Sequence, residues 1–309
     1  MKLSVVIPTY NRKGSLPGCL SAYAKQDFSP NDFEVILVDD GSTDGTGEAV
    51  ESLRKDFPFP IQYLKKENGG QGSARNQGFR SVSGEIVLIS GDDIFPDERM
   101  LAEHWDWHST RYRDENVAVL GFVTWAQSPP PSPFMRWLEN GYQNAYPLLR
   151  HNMEAGWRFS YTGNLSLKTR FLETSGERFD ERLRSYGYED IEWGFRLAKK
   201  GMKIIYNQRA IGYHHHWVTL DHSLQRMEKA GASLRQLETV NPELFAIISS
   251  EILPSSRWQR NALKILALPF FSENIFIPVA RYFENRLIVS TVFSIAHQYF
   301  IAKGKTLNK

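Results

Sequence analysis

Phe33-Glu34-Val35-Ile36-Leu37-Val38-Asp39-Asp40-Gly41-Ser42 decides the reading of the fold. An apolar run ends abruptly in two carboxylates, a glycine and a serine. Unbroken apolarity, without polar alternation, is expected of a strand covered on both faces, as in a parallel sheet. Working outward, the same unit recurs. Leu3-Ser4-Val5-Val6-Ile7 stops at Pro8, and Glu85-Ile86-Val87-Leu88-Ile89 runs into Gly91-Asp92-Asp93. Ile61-Gln62-Tyr63-Leu64 is a shorter strand. Between the strands lie helical segments. Gly14 to Lys25 puts Leu16, Leu20 and Tyr23 on one side, and Thr43 or Asp44 is placed to cap a helix running to about Lys55. A glycine-rich loop, Asn68–Gly72, leads into a helix through Arg75 and Phe79. This alternation predicts an α/β fold: a mostly parallel sheet with helices on both faces. Ligands in such sheets bind beyond the carboxyl ends of the strands. The turns Pro8-Thr9, Asp39-Asp40 and Asp92-Asp93 are therefore expected on one rim.

The remainder is less uniform. Residues 101–160 are rich in Trp and Pro, and Ser128-Pro129-Pro130-Pro131-Ser132-Pro133 reads as a rigid connector or as an acceptor-side loop. Glu189–Lys200 reads as a helix closed by Gly201, followed by a strand over Met202–Tyr206. Residues 220–309 have helical periodicity. The 309 residues are 41% apolar and 23% charged, with a net charge of +2, as in an ordinary soluble globular protein. No basic stripe with interleaved aromatics points to nucleic acid. Cys19 is the single cysteine, so neither an intrachain disulfide nor a cysteine-based metal site is expected. The opening MKLSVVIPTY reads as the first strand and not as a signal peptide. No apolar stretch reaches the 18 residues or so of a spanning helix; the nearest, Leu287–Ala302, carries His297 and Gln298.

Each candidate site residue has a structural reading beside its chemical one. Asp92-Asp93 at a strand end is expensive unless something binds it. A divalent cation with oxygen ligands would bind it and bridge a diphosphate; alternatively Asp93 caps a helix beginning near Pro96-Asp97-Glu98. Asp39-Asp40-Gly41-Ser42 is a turn with local side-chain hydrogen bonds, or a carboxylate that accepts the imide N–H of a base such as uracil. Glu189-Asp190 suits a helix N-terminus by charge alone, or supplies a general base. In His214-His215-His216, alternate residues of an extended chain share a face, so His214 and His216 can act together as metal ligands; the run can also be a solvated edge.

Taken in order, these motifs strongly resemble the family 2 glycosyltransferases: Ser4-Val5-Val6-Ile7-Pro8-Thr9-Tyr10-Asn11, then Val38-Asp39-Asp40-Gly41-Ser42, Asn68-Gly69-Gly70-Gln71-Gly72-Ser73-Ala74-Arg75-Asn76, and Gly91-Asp92-Asp93. Thr162-Gly163-Asn164-Leu165-Ser166, Phe179-Asp180-Glu181, Tyr188-Glu189-Asp190 with Arg196, and Ala210 through His214 continue the match over residues 3–217. The resemblance implies a GT-A fold, with a catalytic domain over residues 1–219 (nucleotide half 1–100, acceptor half 101–219) and a helical region over 220–309. It implies that Pro8 and Thr9 line the base pocket, that Asp40 faces uracil with Asp39 near base or ribose, and that Asn11 and Arg75 belong to the nucleotide site. Gly91-Asp92-Asp93 takes the place of the family's "DxD" element. Asp93 is then the direct ligand of Mn²⁺ or Mg²⁺ and Asp92 touches ribose or donor sugar. His214 fills the position of the family's late histidine, with His216 in reserve. Asp190 is the implied catalytic base and Glu189 its support or an acceptor contact.

The implied reaction is an inverting transfer from a nucleotide-sugar, UDP-linked by family habit, to a glycan, lipid-linked or other hydroxyl acceptor. The competing readings are a sugar-nucleotide-binding protein without catalysis and a sugar nucleotidyltransferase. The latter usually carries a glycine-rich Arg/Lys loop where this chain has Pro8-Thr9-Tyr10-Asn11. Residues 258–309 mix apolar and basic residues, which suits packing on protein, a homodimer contact, or an interfacial membrane helix. The expected location is the cytoplasm, or peripherally the inner face of the cell membrane.

Overall fold

The computed structural model describes residues 1–142, 145–252 and 277–283, with residue 301. Apart from 277–283 and 301, the 258–309 segment, where a protein, dimer or membrane contact is expected, lies outside the described residues. In chain order the elements are β1 (Leu3–Thr9), α1 (Leu16–Tyr23), β2 (Phe33–Asp39), α2 (Thr46–Leu53), β3 (Ile61–Lys65), α3 (Gln71–Phe79), β4 (Ile86–Ser90), β5 (Ile94–Pro96), α4 (Met100–Asp106) and β6 (Val117–Trp125), with a π-helical segment, Trp107–Arg111, directly after α4. There follow α5 (Pro133–Trp137), β7 (Glu154–Ala155), β8 (Asn164–Lys168), α6 (Thr169–Ser175), α7 (Glu189–Lys199), β9 (Lys203–His214), α8 (Leu220–Val240), α9 (Pro242–Ile252) and α10 (Ile277–Phe283). They form two compact units: residues 1–126, 146–181 and 190–216, and residues 127–145, 182–189 and 217–309.

The first unit holds a nine-stranded sheet of order β3-β2-β1-β4-β8-β6-β9-β5, with β7 paired to β9. The first four strands of that order are parallel, as is β6 with β9; β8, β5 and β7 pair antiparallel. All seven residues of β1 and all seven of β2 are buried, because alternate residues feed two cores. Val6, Ile36 and Val38 meet Ala74 and Phe79 of α3 on one face. Val5, Ile7 and Leu37 meet Leu16, Leu20 and Tyr23 of α1 on the other. Burying each such side chain contributes roughly 1.5–3 kcal/mol. Gly78 lets α3 approach β1: a Cβ there would lie 2.5 Å from Val6 Cγ1.

The strand expected over Met202–Tyr206 is longer. β9 continues to His214 because its pairing with β6 jumps from Gly121↔Asn207 to Phe122↔Ile211. The polar Asn207-Gln208-Arg209 looks like a terminating turn in sequence; in the fold it is a bulge, which bends the strand and re-aims its end. Among its described residues the second unit carries the helices α5, α8, α9 and α10. Thr219 caps α8, its hydroxyl accepting from His222 N at 3.2 Å, and Leu244 and Ile248 of α9 are buried. No helix among the described residues is long and apolar enough to cross a membrane.

α4 is fixed to the sheet by a buried polar chain. His104 Nε2 lies 2.8 Å from Asn164 Oδ1, His104 Nδ1 2.7 Å from Ser166 Oγ, and His108 Nε2 2.9 Å from the same hydroxyl. Burial pushes the His104 pKa down to about 4, against the hydrogen bond to Asn164. The native state therefore refuses a proton that the unfolded chain accepts as pH falls below about 6.5, and stability is lost from there down to about pH 4. Urea unfolding should show about 2 kcal/mol less stability at pH 5 than at pH 7 from His104 alone. His104→Gln should remove that share; an unchanged pH slope in the variant would refute the assignment.

Candidate functional site

The three polar turns meet on one rim. Thr9 and Asp39 are register partners at the ends of β1 and β2, and Asp40 N donates to Thr9 O at 2.9 Å. Pro8 and Thr9 are buried in the end of β1. Asn11 follows in a left-handed conformation (φ +54°), which asparagine tolerates. Its backbone N–H donates to Ser42 Oγ at 2.8 Å and its Oδ1 accepts from Thr43 N at 2.9 Å. Asn11 thus ties the first turn to the second.

The two carboxylates of the second turn have separate tasks. Asp39 is fully buried; Oδ1 accepts from Ser42 N at 2.7 Å and Oδ2 from the Tyr63 hydroxyl. Asp40 holds the glycine-rich loop: Oδ1 accepts from Lys66 Nζ at 2.8 Å and Gly69 N at 2.9 Å, and Oδ2 from Gly70 N at 2.8 Å. The loop leads into α3, where Arg75 is 5% exposed. Its Nη2 donates to Gln71 Oε1 at 3.0 Å and its guanidinium lies 5.2 Å from the Phe179 ring centroid.

Past the end of β4, Asp92 and Asp93 stand together. Asp93 does not cap a helix, since α4 begins only at Met100. Arg12 Nε lies 3.3 Å from Asp92 Oδ1, and Arg12 Nη2 3.4 Å from Asp93 Oδ2. His214 Nε2 and His216 Nδ1 lie 3.5 and 3.9 Å from the same Asp93 oxygen. The β5–β9 pairing sets this up: Ile94 opposes His214, His215 N donates to Asp93 O at 2.7 Å, and the His215 ring stacks on Phe95. Burial, then the charge of Asp93, raises the Asp92 pKa to about 6, against Arg12, the Thr9 hydroxyl and the Tyr10 backbone. Burial works the same way on Asp93, but the hydrogen bond and charge of His214, with Arg12 and His216, hold its pKa low. Gly91 keeps this corner open, because a Cβ there would lie 3.1 Å from Asp93 Oδ1.

Among the described residues no group of three or more His, Cys, Asp or Glu side chains is already closed into a metal cage. The chemistry at Asp93 nevertheless fits a divalent ion. An ionised carboxylate faces two imidazoles, the donor types that suit Mn²⁺ and its neighbours. The acidic pair is buried, and Arg12 lies within salt-bridge distance of both members.

α7 is approached through Gly187 and Tyr188, both at positive φ, and opens with Glu189 and Asp190. Asp190 Oδ1 accepts from Ile191 N at 2.8 Å. One turn on, Trp193 is fully buried and stacks on Phe179 and Phe79, with centroids 4.5 and 6.0 Å away. Asn76 grips the Phe179 backbone at both N and O, each at 2.9 Å. Arg196 joins Glu192 at 2.8 Å and pairs with Glu177. The Phe179 ring that supports Arg75 thus also anchors the helix that carries Asp190.

The family model described as "Glycosyl transferase family 2" matches residues 4–160 of the 309. The chain belongs to that family. An uncharacterized glycosyltransferase of Bacillus subtilis, YfnE, is 26% identical over 258 residues, which is 69% of this chain and 64% of that protein. TarS of Staphylococcus aureus, named a poly(ribitol-phosphate) β-N-acetylglucosaminyltransferase, is 38% identical over 103 residues, 33% of this chain and 18% of TarS. The match therefore spans less than two thirds of the length of either relative. Among solved structures, the mannosyltransferase PcManGT of Pyrobaculum calidifontis, in complex with GDP-Man and Mn²⁺, superposes with a TM-score of 0.69 at 21% identity, covering 100% of this chain and 88% of that one. TarS 1–349 in complex with UDP gives 0.56 at 21% identity, with coverage of 99% and 89%. These likenesses show the GT-A fold.

Sequence reasoning missed Arg12 and Lys66. Each is an isolated cation in a loop, and nothing local marks it. Arg12 meets its carboxylates only because β1 and β4 are neighbours, across a separation of about 80 positions in the chain.

Proposed function

We propose that this family 2 chain is an inverting glycosyltransferase that moves a sugar from a UDP-sugar to a hydroxyl of a glycan or lipid-linked acceptor. The observation that carries the reading is the convergence of Asp92, Asp93, His214, His216 and Arg12 beyond β4, on the rim that also carries Thr9, Asn11 and Asp40. The donors crystallised with TarS and PcManGT, UDP-GlcNAc and GDP-Man, support a nucleoside-diphosphate sugar on that rim.

In this reading Pro8 and Thr9 form the base pocket with Asn11. Asp40, through the loop it holds, shapes the wall against the base, and Asp39 keeps that turn rigid. Arg75 and Asp92 contact the nucleotide and sugar. Asp93 with His214 or His216 would hold Mn²⁺ or Mg²⁺, which supplies positive charge against the departing diphosphate. Arg12 adds a second positive charge at the same carboxylates and yields Asp93 when the donor binds. Asp190 accepts the proton of the acceptor hydroxyl as its oxygen attacks the anomeric carbon from the face opposite the leaving diphosphate, with Glu189 as its support. Configuration at that carbon is inverted. The rigid stack behind Arg75 and Asp190 keeps base and donor in fixed geometry, and positioning of this kind can supply a large share of a transferase's acceleration.

Thermal unfolding with UDP, GDP, dTDP and CDP, each with and without Mn²⁺, tests the donor. A ligand at about a hundred times its Kd stabilises the native state by about 2.7 kcal/mol. UDP with Mn²⁺ is expected to give the largest rise in Tm, and UDP alone a small one. A larger metal-dependent rise with another nucleotide would replace the donor base, and no rise with any nucleotide would overturn the transferase reading.

A further inference from the structure

His214, His215 and His216 follow one another in the chain, yet they are held in different ways. The His215 ring stacks on Phe95, with centroids 3.8 Å apart, while His214 and His216 turn toward Asp93. His214 is the last residue of β9, and His216 lies beyond the strand. Strands border His214 on both sides: Ile94 of β5 is its register partner on one and Trp125 of β6 on the other. Ala126 N donates to His214 O at 3.1 Å. The main chain at His214 is thus fixed along both edges.

Its side chain is fixed as well. The Trp125 indole lies against the His214 imidazole, with centroids 4.8 Å apart and planes 11° from parallel. This is the separation and tilt of a favourable offset stack. The His216 ring lies 5.8 Å from that of His214 at 22°, so three flat rings run roughly parallel. Trp125 is 4% exposed, so its ring is a rigid wall that does not follow the imidazole.

The bulge in β9 makes this pairing. Up to Gly121↔Asn207 the two strands keep one register, which would set Ile211 beside Trp125 if it ran on unbroken. The bulge moves Ile211 to Phe122 and brings His214 to Trp125. Bulges next to active sites commonly re-aim a side chain in this way.

A metal bond needs the lone pair of one imidazole nitrogen, which lies in the ring plane, aimed at the ion. The terminal torsion of a histidine is broad and by itself lets the ring turn. A wall parallel to the ring blocks that turn. In the orientation so held, His214 Nε2 lies 3.5 Å from Asp93 Oδ2.

We infer that Trp125 is a positioning residue for the metal: its indole fixes the plane of the His214 imidazole, so that Nε2 and the Asp93 carboxylate meet the ion together. The inference rests on the proposed place of His214 beside Asp93 at the metal. Replacing a residue that orients a metal ligand typically costs about 10–100-fold in affinity. The lower end is expected here, because the ligating atoms themselves stay in place.

The test is Mn²⁺ binding to the full chain, read as loss of the free-ion EPR signal, without and with UDP. Trp125→Leu should raise the Kd for Mn²⁺ about tenfold. Trp125→Phe keeps a flat ring and should stay within about twofold of the unsubstituted chain. Both variants remove core volume and lower Tm, so rescue by Phe and not by Leu separates positioning from folding. Trp125→Met, whose flexible side chain fills core gaps, takes the place of Leu if that variant does not fold. His214→Gln is the reference: it should weaken Mn²⁺ binding, and Trp125→Leu added to it should weaken binding no further. Unchanged affinity in Trp125→Leu or Trp125→Met, equal losses with Phe and Leu, or full additivity with His214→Gln would overturn the role of Trp125 and leave the metal reading standing. Unchanged affinity in His214→Gln, or no Mn²⁺ binding to the unsubstituted chain with or without UDP, would sink the metal reading at His214 and the inference with it.

Discussion

Asp93→Asn is expected to lower kcat/KM with a UDP-sugar by about a thousandfold and to abolish the extra Tm rise that Mn²⁺ gives with UDP. The size follows from what the residue does in the proposed reaction. Removing one preorganised charge at the place where charge develops costs about 10²–10³ in rate, and loss of the metal weakens donor binding as well. The structure makes Asn a clean test. Asp93 Oδ2 is the atom nearest His214, His216 and Arg12, and an amide keeps the shape while removing the negative charge that gathers them. The backbone bond from His215 N to Asp93 O does not depend on the side chain, so the turn should persist. The measurement is paired: steady-state kinetics across Mn²⁺ concentrations, and thermal unfolding with UDP with and without Mn²⁺. A variant that keeps both its turnover and its metal-dependent shift would remove Asp93 from the donor site.

The parallel half of the fold was legible because its physics is local. Val35 to Val38 are apolar without interruption since both faces of β2 are covered, and the two buried aspartates that follow mark where apolar neighbours give way to hydrogen-bonding ones. The same holds for β1 and β4. The alternate spacing of His214 and His216 predicts a shared face, and both rings lie toward Asp93. What was not legible depends on partners distant in sequence. β9 seemed to stop at Tyr206 because a bulge of polar residues reads as a turn, and only the register with β6 shows the strand resuming. Asp40, a candidate for touching a base, is engaged by Lys66, Gly69 and Gly70, since the end of β3 is brought beside the end of β2. Asn164 sits in a motif of the resemblance, yet its amide holds His104 and two carbonyls inside the sheet. A motif therefore marks both the residues that face a ligand and those that hold the wall, and the sequence does not sort them.

Asp190→Asn should separate chemistry from binding, and for that reason it is the sharper of the two mutations. If Asp190 accepts the proton of the attacking hydroxyl, its loss lowers kcat by about 10²–10⁴-fold, the usual weight of a general base. The metal-dependent UDP shift should be unchanged, because in this reading the metal is held by Asp93 with His214 or His216 and not by Asp190. The fold should also be unchanged: α7 is anchored by Trp193 on Phe179 and Phe79 and by Arg196 with Glu192, none of which uses the Asp190 carboxylate. The bond it accepts from Ile191 N can be kept by the amide oxygen of asparagine. Turnover should be read with KM for both substrates, since a base that acts only in the transition state lowers kcat and kcat/KM together. A variant with normal kcat and a raised acceptor KM would make Asp190 an acceptor-binding residue and pass the role of base to its neighbour Glu189. A variant that loses the UDP shift as well would instead place Asp190 in the donor site.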